Sequence, residues 1–580
     1  MVIVVALLAL FAQQRISAQL LPEQWAKQDL DRYLSLENEF GSSNPGAVSS
    51  KGMIAATTNP FAIHAGLEVL KHGGNAADAA LTTSLAQIAL TAGGAISYAG
   101  IMTAVYYDAA SGKVYTLNAA YNTVQNEKDP LSIPEWGQHS GRSALVPGFM
   151  AGVQALHDRF GKLPFAALFG PAIWIADHGV ALNPPVGSWL VSARNFITRL
   201  PETKRIFTKE DGELYQAGDM FRQPELAATL KKIASQGSAY MYKGEWAHHF
   251  VDAVQREGGK MTLEDLAGYR AMWTEPLAMP YRGYQVVSLG APSKGGLMTL
   301  GSLKVAEVAD LRKYGHYESS AEALYYLIQI TREEYNLVHM SAAEFKNYLP
   351  GVAFSPESLL SADTAQRLWA RIQRNITAKP PAVRPGSNHS AGVLAVDEQG
   401  NVASILHSLN GVLWGSTGIF VDGISIPDSA CFQQQPIASA GPGVRLPEIS
   451  NPLMVLKGGK PVLASTTIGS ALHQAALQNL INVLDFGMDP KTSAYQPNTQ
   501  GPFYGVSLTG PGKPEYEKEA VGERDFSQAV LDGVRARGRA IKIVYENDQR
   551  GFWVGIQIDP RVHKLFGGVT KGLNAMVEGY

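Results

Sequence analysis

One stretch decides the fold of this chain: Ser387-Asn-His-Ser-Ala-Gly-Val-Leu-Ala-Val-Asp-Glu-Gln-Gly-Asn-Val-Ala-Ser-Ile-Leu-His-Ser-Leu-Asn410. Its pattern predicts a polar loop, a buried strand over 391–396, a tight turn over 397–401 and a second strand over 402–406. Ser390 lies at the mouth of the first strand. If the chain is cut before Ser390, this residue supplies both an attacking hydroxyl and a free α-amine that serves as its base.

The residues just before Ser390 favour such a cut. The segment 377–389 reads Thr-Ala-Lys-Pro-Pro-Ala-Val-Arg-Pro-Gly-Ser-Asn-His and has no helical or strand periodicity. A proline-rich connector of this kind is predicted to be exposed and open to cleavage. The alternative is structural, because a serine before a strand is usually an ordinary turn or edge residue.

Two other features agree with a catalytic role for Ser390. Asn410 follows the paired strand, where its side-chain amide is placed to orient the new α-amine. Farther on, Ala464-Ser-Thr-Thr-Ile-Gly-Ser470 follows a predicted strand and precedes a helix predicted over 471–484. A glycine turn that enters a helix presents backbone N–H groups, which suit an oxyanion. An ordinary strand-to-helix cap is the alternative for this turn.

Composition sets the broad class of the protein. A chain of 580 residues predicts two to four compact units, and 46% hydrophobic with 17% charged residues is typical of a well-packed globular protein. The net charge of −2 and the lack of basic runs give no support to nucleic-acid binding. Cys431 is the single cysteine, which excludes an intrachain disulfide and a cysteine metal cluster. We expect it to be a buried small residue and not a nucleophile.

The N-terminus predicts export. Residues 1–12 form an apolar run too short to span a bilayer comfortably, and Ser17-Ala18 before Gln19 is typical of a signal-peptidase site. We therefore expect a signal peptide over 1–18 and a secreted or periplasmic protein. An uncleaved anchor and a misassigned start are the alternatives. Residues 19–51 are predicted to form an N-terminal arm, with the compact unit beginning near Gly52.

Periodicity predicts strands near both ends of the chain around a helix-rich middle. Helices are expected over 63–70, 76–90, 321–338 and much of 150–275, and strands over 101–107, 113–117, 285–289, 453–456, 461–465, 540–545 and 552–558. The helix over 76–90 has almost no charge and is expected to be buried all round. This arrangement suggests a sheet built from both halves of the chain.

Other common chemistries find no motif in the sequence. The zinc-helix motif, the phosphate-binding glycine loops and the Gly-x-Ser-x-Gly elbow are all absent. His248-His249 is expected to be structural, because adjacent helical residues point apart. We expect neither a metal nor a cofactor.

Several short motifs in order give the chain a family resemblance. They are Ala65-Gly-Leu-Glu-Val-Leu-Lys-His-Gly-Gly-Asn-Ala-Ala-Asp-Ala-Ala80, Val146-Pro-Gly-Phe-Met-Ala-Gly152, Phe160-Gly-Lys-Leu-Pro164, Leu263-Glu-Asp-Leu-Ala-Gly-Tyr269, Tyr281-Arg-Gly-Tyr284, Ala291-Pro-Ser-Lys-Gly-Gly296, Val396-Asp-Glu-Gln-Gly-Asn401 and Gly459-Lys-Pro-Val-Leu463. From about Gly52 to Tyr580 the chain resembles the gamma-glutamyltransferase (gamma-glutamyl transpeptidase) family of N-terminal-nucleophile hydrolases.

The resemblance implies an α+β fold, a four-layer αββα sandwich made as a proenzyme. In that family the precursor cuts itself before a threonine, and Ser390 stands at this position here. The cut would fall at His389–Ser390 and divide the chain into a large subunit, 52–389, and a small catalytic subunit, 390–580. Ser387 is the alternative nucleophile if the alignment is shifted by three residues.

The resemblance also assigns site residues. Asn410 matches the asparagine that contacts the nucleophile, and Gly469 and Ser470 match the glycine pair of the oxyanion hole. Ser408, Asp428 and Ser450 are the predicted substrate-binding residues, with Asp428 reading an amino group. The family's arginine for the glutamyl α-carboxylate is missing, because its position falls at about Ala120 in Leu117-Asn-Ala-Ala-Tyr-Asn122. The family also holds this carboxylate with two adjacent serines, and their position falls near Glu448-Ile449 here.

These observations predict a self-processing amide hydrolase or acyltransferase with altered acyl specificity. Loss of a bidentate, charge-assisted contact to a carboxylate typically costs several kcal/mol. The first rival is a true gamma-glutamyl transpeptidase or glutathione hydrolase that uses other charges, such as Lys294 or Arg384. The second rival is an uncleaved, non-catalytic relative with a binding or structural role. Small-molecule amides or peptides are the expected substrates.

Overall fold

The protein is described by a computed structural model that covers residues 20–39, 41, 44–376, 390–504, 514–545 and 551–580. The predicted signal peptide over 1–18 therefore lies outside the described residues. So do Arg384, Ser387 and His389 in the connector before Ser390. Across the described parts of the chain, no helix is long and apolar enough to cross a membrane.

Strands occur along the whole chain. They are β1 (Gly46–Ser49), β2 (Met53–Ala56), β3 (Ile101–Asp108), β4 (Lys113–Ala119), β5 (Val180–Ala181), β6 (Met220–Phe221), β7 (Met272–Thr274), β8 (Leu277–Tyr281), β9 (Tyr284–Ser288), β10 (Ser390–Val396), β11 (Val402–Ser408), β12 (Phe420–Val421), β13 (Ile424–Ser425), β14 (Leu453–Lys457), β15 (Lys460–Ile468), β16 (Thr499–Tyr504), β17 (Pro514–Gly522), β18 (Ala540–Val544), β19 (Phe552–Asp559), β20 (Lys564–Val569) and β21 (Met576–Gly579).

Helices dominate the middle of the chain, as the sequence predicts. They are α1 (Lys27–Leu36), α2 (Pro60–Lys71), α3 (Ala76–Leu90), α4 (Phe149–Phe160), α5 (Gly170–His178), α6 (Pro184–Ser192), α7 (Arg194–Ile197), α8 (Pro201–Phe207), α9 (Pro224–Gln236), α10 (Ala239–Lys243), α11 (Glu245–Arg256), α12 (Leu263–Gly268), α13 (Gly295–Ala309), α14 (Ala321–His339), α15 (Ala342–Tyr348), α16 (Pro356–Leu359), α17 (Ala362–Gln373), α18 (Gln434–Ala440), α19 (Leu472–Leu484), α20 (Pro490–Ala494) and α21 (Gln528–Ala536).

Two seven-stranded sheets form the centre of the molecule. The first, sheet A, has the order β21-β2-β10-β11-β3-β4-β7, and the second, sheet B, has the order β1-β20-β19-β15-β14-β9-β8. Each sheet takes strands from before and after Ser390. This confirms the prediction of a sheet built from both halves of the chain.

Apolar side chains on the inner faces of the two sheets pack against each other. Met53 and Leu394 of sheet A meet Met454, Ala464 and Val554 of sheet B in one buried cluster. Alternation along each strand turns the next residues to the outer faces, where helices cover them. The observed layers are therefore helix, sheet, sheet and helix, which confirms the predicted αββα sandwich.

The helical layers are also apolar. The outer face of sheet A packs in one cluster with α2 to α5 and α9 to α12, and the outer face of sheet B packs in another with α13, α14, α17 and α19. Every residue of α3 is buried, as its nearly uncharged sequence predicts. A capping box at Asn75 and Asp78 fixes the start of α3.

The N-terminal segment differs from its predicted form. Residues 19–51 were expected to form an arm outside the compact unit, but the described part belongs to that unit. Strand β1 pairs with β20 at the edge of sheet B. Trp25 and Tyr33 are buried and pack against the ring of His64 in α2. Polar composition concealed this docking because a few large apolar residues are enough to attach a segment.

Candidate active site

Two serine hydroxyls meet at the end of sheet A. Strands β10 and β11 are antiparallel, and their register places Ser390 directly opposite Ser408. Ser390 Oγ donates a hydrogen bond to Ser408 Oγ at 3.0 Å. The backbone N–H of Asn410 donates to Ser408 Oγ at 2.9 Å. The predicted nucleophile therefore has an oriented hydroxyl, and its partner oxygen is held by the turn that carries Asn410.

The close approach of the two sheets places Ser390 beside the predicted oxyanion turn. A Cβ on Gly392 would lie 2.7 Å from Thr466 Cγ2 and 3.6 Å from Ile468 Cγ2. Ser390 and Gly392 are two residues apart and face the same way, toward sheet B. Ser404, which pairs with Leu394, donates a hydrogen bond to Ser465 O at 2.9 Å, so stepping back along β10 from Leu394 to Gly392 means stepping forward along β15. Ser390 consequently lies at the end of β15 where the Gly469 turn begins.

The turn after β15 has the backbone geometry of a strand-to-helix switch. Gly469 has a φ of 90°, a conformation that favours glycine. Ser470 is exposed, and α19 begins two residues later. The first N–H groups of a helix have no partner inside the helix, so this end is suited to an anionic oxygen.

Asn451 braces this turn, and sequence reasoning did not single it out. Its Oδ1 accepts a hydrogen bond from Thr467 N at 3.2 Å, and its Nδ2 donates to Leu472 O at 3.4 Å. One buried side-chain amide thus connects the last residues of β15 with the first residue of α19. Its position between Ser450 and a proline just before β14 was visible in the sequence, but the contact depends on the pairing of β14 with β15.

The loop around Asn410 is fixed from outside. Asn410 has a positive φ of 50°, and the carbonyl of Leu409 accepts hydrogen bonds from Tyr121 Oη and Ser429 Oγ, both at 2.8 Å. These contacts hold the backbone that follows Ser408. The structure thus brings Asn410 to the same end of the sheet as Ser390, where the sequence predicted it.

Asp428 lies behind this loop with its carboxylate engaged. Oδ1 accepts from Val412 N at 3.2 Å, and Oδ2 accepts from Ser416 N at 2.8 Å. Burial raises the pKa of Asp428, and the hydrogen bonds from Ser416 and Val412 oppose that rise. In this arrangement the carboxylate organises the 411–416 loop, and its predicted role in reading a substrate amino group stays a prediction.

The position that the resemblance gives to an arginine is apolar here. Ala120 is buried with 1% of its surface exposed. Arg445, from a distant part of the chain, instead packs against this strand end. Its Nε donates to Asn122 Oδ1 at 2.7 Å, and its Nη1 donates to the carbonyl and side chain of Asn118. Its Nη2 donates to the carbonyl of Arg270 at 2.7 Å. This guanidinium was not identified from the sequence.

Glu448 and Ser450 lie in the segment between Leu446, whose backbone N–H donates to Tyr121 O at 2.9 Å, and the start of β14. Glu448 is buried, and one of its carboxylate oxygens, Oε2, accepts from the backbone N–H of Ser450. Burial raises the pKa of Glu448, while polar contacts with the nearby Ser293 and Ser450 and the charge of Arg445 oppose the rise. Ser450 itself is buried next to this carboxylate, and its predicted role in substrate binding is not decided by that position.

A neutral histidine lies directly behind the serine pair. His407 precedes Ser408 in β11, so its side chain points to the helical face of sheet A, where Nε2 and Gln87 Oε1 are 2.9 Å apart. Burial lowers the pKa of His407 to about 3.

The single cysteine, Cys431, is buried near Val412, and burial raises the pKa of its thiol well above the usual range. Neither His407 nor Cys431 has the exposure expected of a proton carrier or nucleophile at neutral pH.

Comparisons with known proteins agree with the geometry. The Gamma-glutamyltranspeptidase family model matches residues 62–569. The glutathione hydrolase proenzyme of Escherichia coli is 27% identical over 563 residues, covering 92% of this chain and 93% of that protein. The acylase ACY 1 proenzyme of Pseudomonas sp. strain SE83 is 25% identical, covering 79% and 84%. The crystal structure of cephalosporin acylase from Bacillus halodurans shares the fold, with a TM-score of 0.77, 23% identity and coverage of 93% and 97%.

Proposed function

The chain belongs to the gamma-glutamyltranspeptidase family and is an N-terminal-nucleophile amidohydrolase, and from that premise we propose that it matures by cleavage before Ser390 and acts on amides whose acyl group is not an ordinary gamma-glutamyl group. The observation that carries the proposal is the Ser390–Ser408 hydrogen bond beside the Gly469 turn. The buried alanine at position 120, where the resemblance places an arginine, supports the altered acyl-group specificity.

Maturation breaks the peptide bond between His389 and Ser390. Ser390 Oγ attacks the carbonyl carbon of His389, the C–N bond breaks, and the nitrogen becomes the free α-amine of Ser390. Water then hydrolyses the ester and releases residue 389 as a carboxylate. The hydrogen bond to Ser408 supports this step, because it fixes the hydroxyl before any α-amine exists to act as base.

The mature site then uses the two groups of one residue. The α-amine of Ser390 accepts the hydroxyl proton while Oγ forms a bond to the substrate carbonyl carbon. Backbone N–H groups near Gly469 and Ser470 stabilise the oxyanion, and Asn410 orients the amine. The amide C–N bond breaks, the proton passes to the leaving amine, and water or a second amine releases the acyl group from Ser390.

The distribution of strands supports a lasting pair of subunits. Residues before 390 supply β2, β3, β4 and β7 of sheet A, and residues after it supply β10, β11 and β21. The fragments 52–389 and 390–580 would therefore stay associated through two continuous sheets without a covalent link.

Secretion or periplasmic export rests on the sequence of residues 1–18 and stays a prediction.

A specific observation also favours the first rival, a true gamma-glutamyl enzyme. Arg445 carries a cationic guanidinium against the strand end where the family's arginine position falls. Its donors are nevertheless used by Asn118, Asn122 and Arg270, so a substrate carboxylate would have to displace existing hydrogen bonds. Lys294 is partly buried, and burial lowers its pKa. Neither cation replaces an open bidentate clamp.

Intact mass with N-terminal sequencing tests maturation first. We expect two chains, the smaller beginning Ser-Ala-Gly-Val-Leu, and a single uncut chain from the Ser390→Ala variant. A panel of p-nitroanilides with different acyl groups then tests specificity. Efficient hydrolysis of the gamma-glutamyl anilide above all others would contradict the altered specificity. An uncut wild-type chain that hydrolyses no anilide would favour the non-catalytic rival.

A further inference from the structure

Glu448 is held between the two sheets at the active-site edge. Upstream, Leu446 N donates to Tyr121 O at 2.9 Å, which ties this segment to the end of sheet A. Downstream, Leu453 pairs with Ser465, and Asn451 bonds Thr467, so the antiparallel register carries Ile449 toward Gly469. The segment that contains Glu448 therefore crosses from the Ala120 end of sheet A to the oxyanion turn of sheet B.

One oxygen of this carboxylate makes no close hydrogen bond. Glu448 is only 6% exposed, and Oε2 accepts from Ser450 N. For Oε1, the described residues supply no hydrogen-bond partner. A buried carboxylate oxygen without a donor is costly, by an amount comparable to a lost hydrogen bond to a charged group. Such an atom at the edge of a site is suited to a ligand that brings its own N–H.

The surrounding backbone holds this carboxylate in place. Lys294 N donates to Glu448 O at 2.8 Å. A Cβ on Gly295 would lie 2.1 Å from Ser450 O and 2.2 Å from Ile449 O, so α13 begins in direct contact with the segment. The buried side chain consequently has little freedom to turn toward solvent, and its open oxygen is held in place between α13 and β14.

We propose that Glu448 recognises a hydrogen-bond donor on the acyl group, so that the preferred substrates carry a carboxamide or amine N–H where a gamma-glutamyl donor carries its α-carboxylate. This inference rests on the proposed function, because it names the substrate class of the same site. A carboxylate at that position would face the buried carboxyl group of Glu448, and the two groups could not both stay ionised there, which is unfavourable. An N–H at that position would satisfy Oε1.

Three p-nitroanilides that differ in one substituent test the proposal. They are the gamma-isoglutaminyl, 4-aminobutyryl and gamma-glutamyl anilides, which place a carboxamide, a hydrogen and a carboxylate at the same carbon. We expect kcat/KM to fall in that order, with roughly ten- to a hundredfold between the first and the last. A carboxamide no better than hydrogen, or a carboxylate that is best, would overturn the proposal.

The variant Glu448→Gln assigns the effect to this side chain. The glutamine keeps an oxygen for Ser450 N but lacks the charge, so we expect the preference for carboxamide over carboxylate to shrink roughly tenfold. Glu210→Gln, at an exposed position, is the matched control and should leave the ratio unchanged. The melting temperature of each variant shows whether the fold is intact. An unchanged ratio in a folded Glu448→Gln protein would overturn the assignment.

Binding separates this proposal from the hydrolase proposal. Isothermal titration with free isoglutamine, 4-aminobutyrate and glutamate reports recognition even if no anilide is cleaved. A preference for isoglutamine that is lost in Glu448→Gln would support the recognition role while the proposed catalysis fails. Tighter binding of glutamate than of isoglutamine would overturn the recognition role whatever the state of catalysis.

Discussion

The catalytic side and the acyl-recognition side of the same sheet edge are built differently. On the catalytic side, short side chains sit at positions that strand register fixes: Ser390 opposite Ser408, and Gly469 at the end of β15. On the recognition side, a long charged side chain from a distant segment is held at a strand end, where Arg445 bonds Asn118 of β4 and Asn122 just after it. The first side depends on backbone geometry, whereas the second depends on which side chains reach the pocket.

This difference explains why one side can keep its chemistry while the other changes. Hydroxyl, α-amine and backbone N–H groups are positioned by the two sheets, whose cores are buried throughout. A substitution that preserves β10, β11 and β15, together with the contacts that hold the Asn410 and Gly469 turns, preserves that geometry. A charge in the recognition pocket can be gained or lost without moving a strand, so specificity is the more variable property.

Removal of the nucleophile should have the largest effect on the catalytic side. We expect Ser390→Ala to abolish fragment formation and to lower amide hydrolysis by about 10⁴-fold or more, because both the attacking oxygen and the new α-amine are lost. Mass spectrometry and anilide assays measure these two outcomes. Ser235→Ala, at an exposed helical position, is the control. Normal processing in Ser390→Ala would point to a different scissile bond.

Loss of the partner hydroxyl should have a smaller effect on the same side. We expect Ser408→Ala to slow the appearance of the small fragment roughly ten- to a hundredfold, because Ser390 Oγ loses its hydrogen-bond acceptor. The conservative Ser408→Thr variant keeps the hydroxyl and should process at a rate closer to that of wild type. A time course on denaturing gels distinguishes the two variants. Equal slowing in both would argue against a role for the hydroxyl.

The close sheet contact at Gly392 can be tested through stability. A methyl group at this position would lie 2.7 Å from Thr466 Cγ2, so we expect Gly392→Ala to lower the free energy of unfolding by about 1–3 kcal/mol. Adding Thr466→Ser removes the opposing methyl group and should recover part of the loss. Chemical denaturation of the single and double variants gives the coupling between the two positions. Additive effects would contradict a direct contact.

Acidification should lower the free energy of unfolding through His407, which lies behind the serine pair of the catalytic side. Burial lowers its folded pKa to about 3, below an unfolded value of about 6.5. The unfolded chain therefore binds more protons in this window, and the His407 contribution to stability is complete above pH 6.5 and is lost as the pH falls toward 3.

The variant His407→Gln tests this contribution. We expect it to reduce the loss of unfolding free energy between pH 6.5 and pH 5 by about 2 kcal/mol. Urea denaturation at both pH values gives the measurement. The same pH dependence in the variant and the wild type would show that His407 does not titrate in this way. Other buried histidines, such as His473, should retain their own share of the acid sensitivity.

Much of the fold could be predicted because local patterns and packing agree. The strand predicted over 391–396 is observed as β10, and the helix predicted over 76–90 is observed as α3 with the same bounds. Hydrophobic periodicity and turn residues fix such elements before any long-range contact forms. The N-terminal arm was mispredicted because β1 is short and its partner β20 lies more than 500 residues away in the sequence.

By itself, the sequence determined that Ser390 lies at the mouth of a buried strand and that a glycine turn enters a helix at Gly469, and its resemblance to the family implied that an alanine at about position 120 replaces an arginine. The first two are properties of residue type and local order, and the third rests on the resemblance. Only the tertiary structure decided that Ser408 bonds Ser390, that Arg445 packs near Ala120, and that Glu448 has an open oxygen. Such contacts join residues far apart in the chain, and their distances follow from how the two sheets pair and stack rather than from any local pattern.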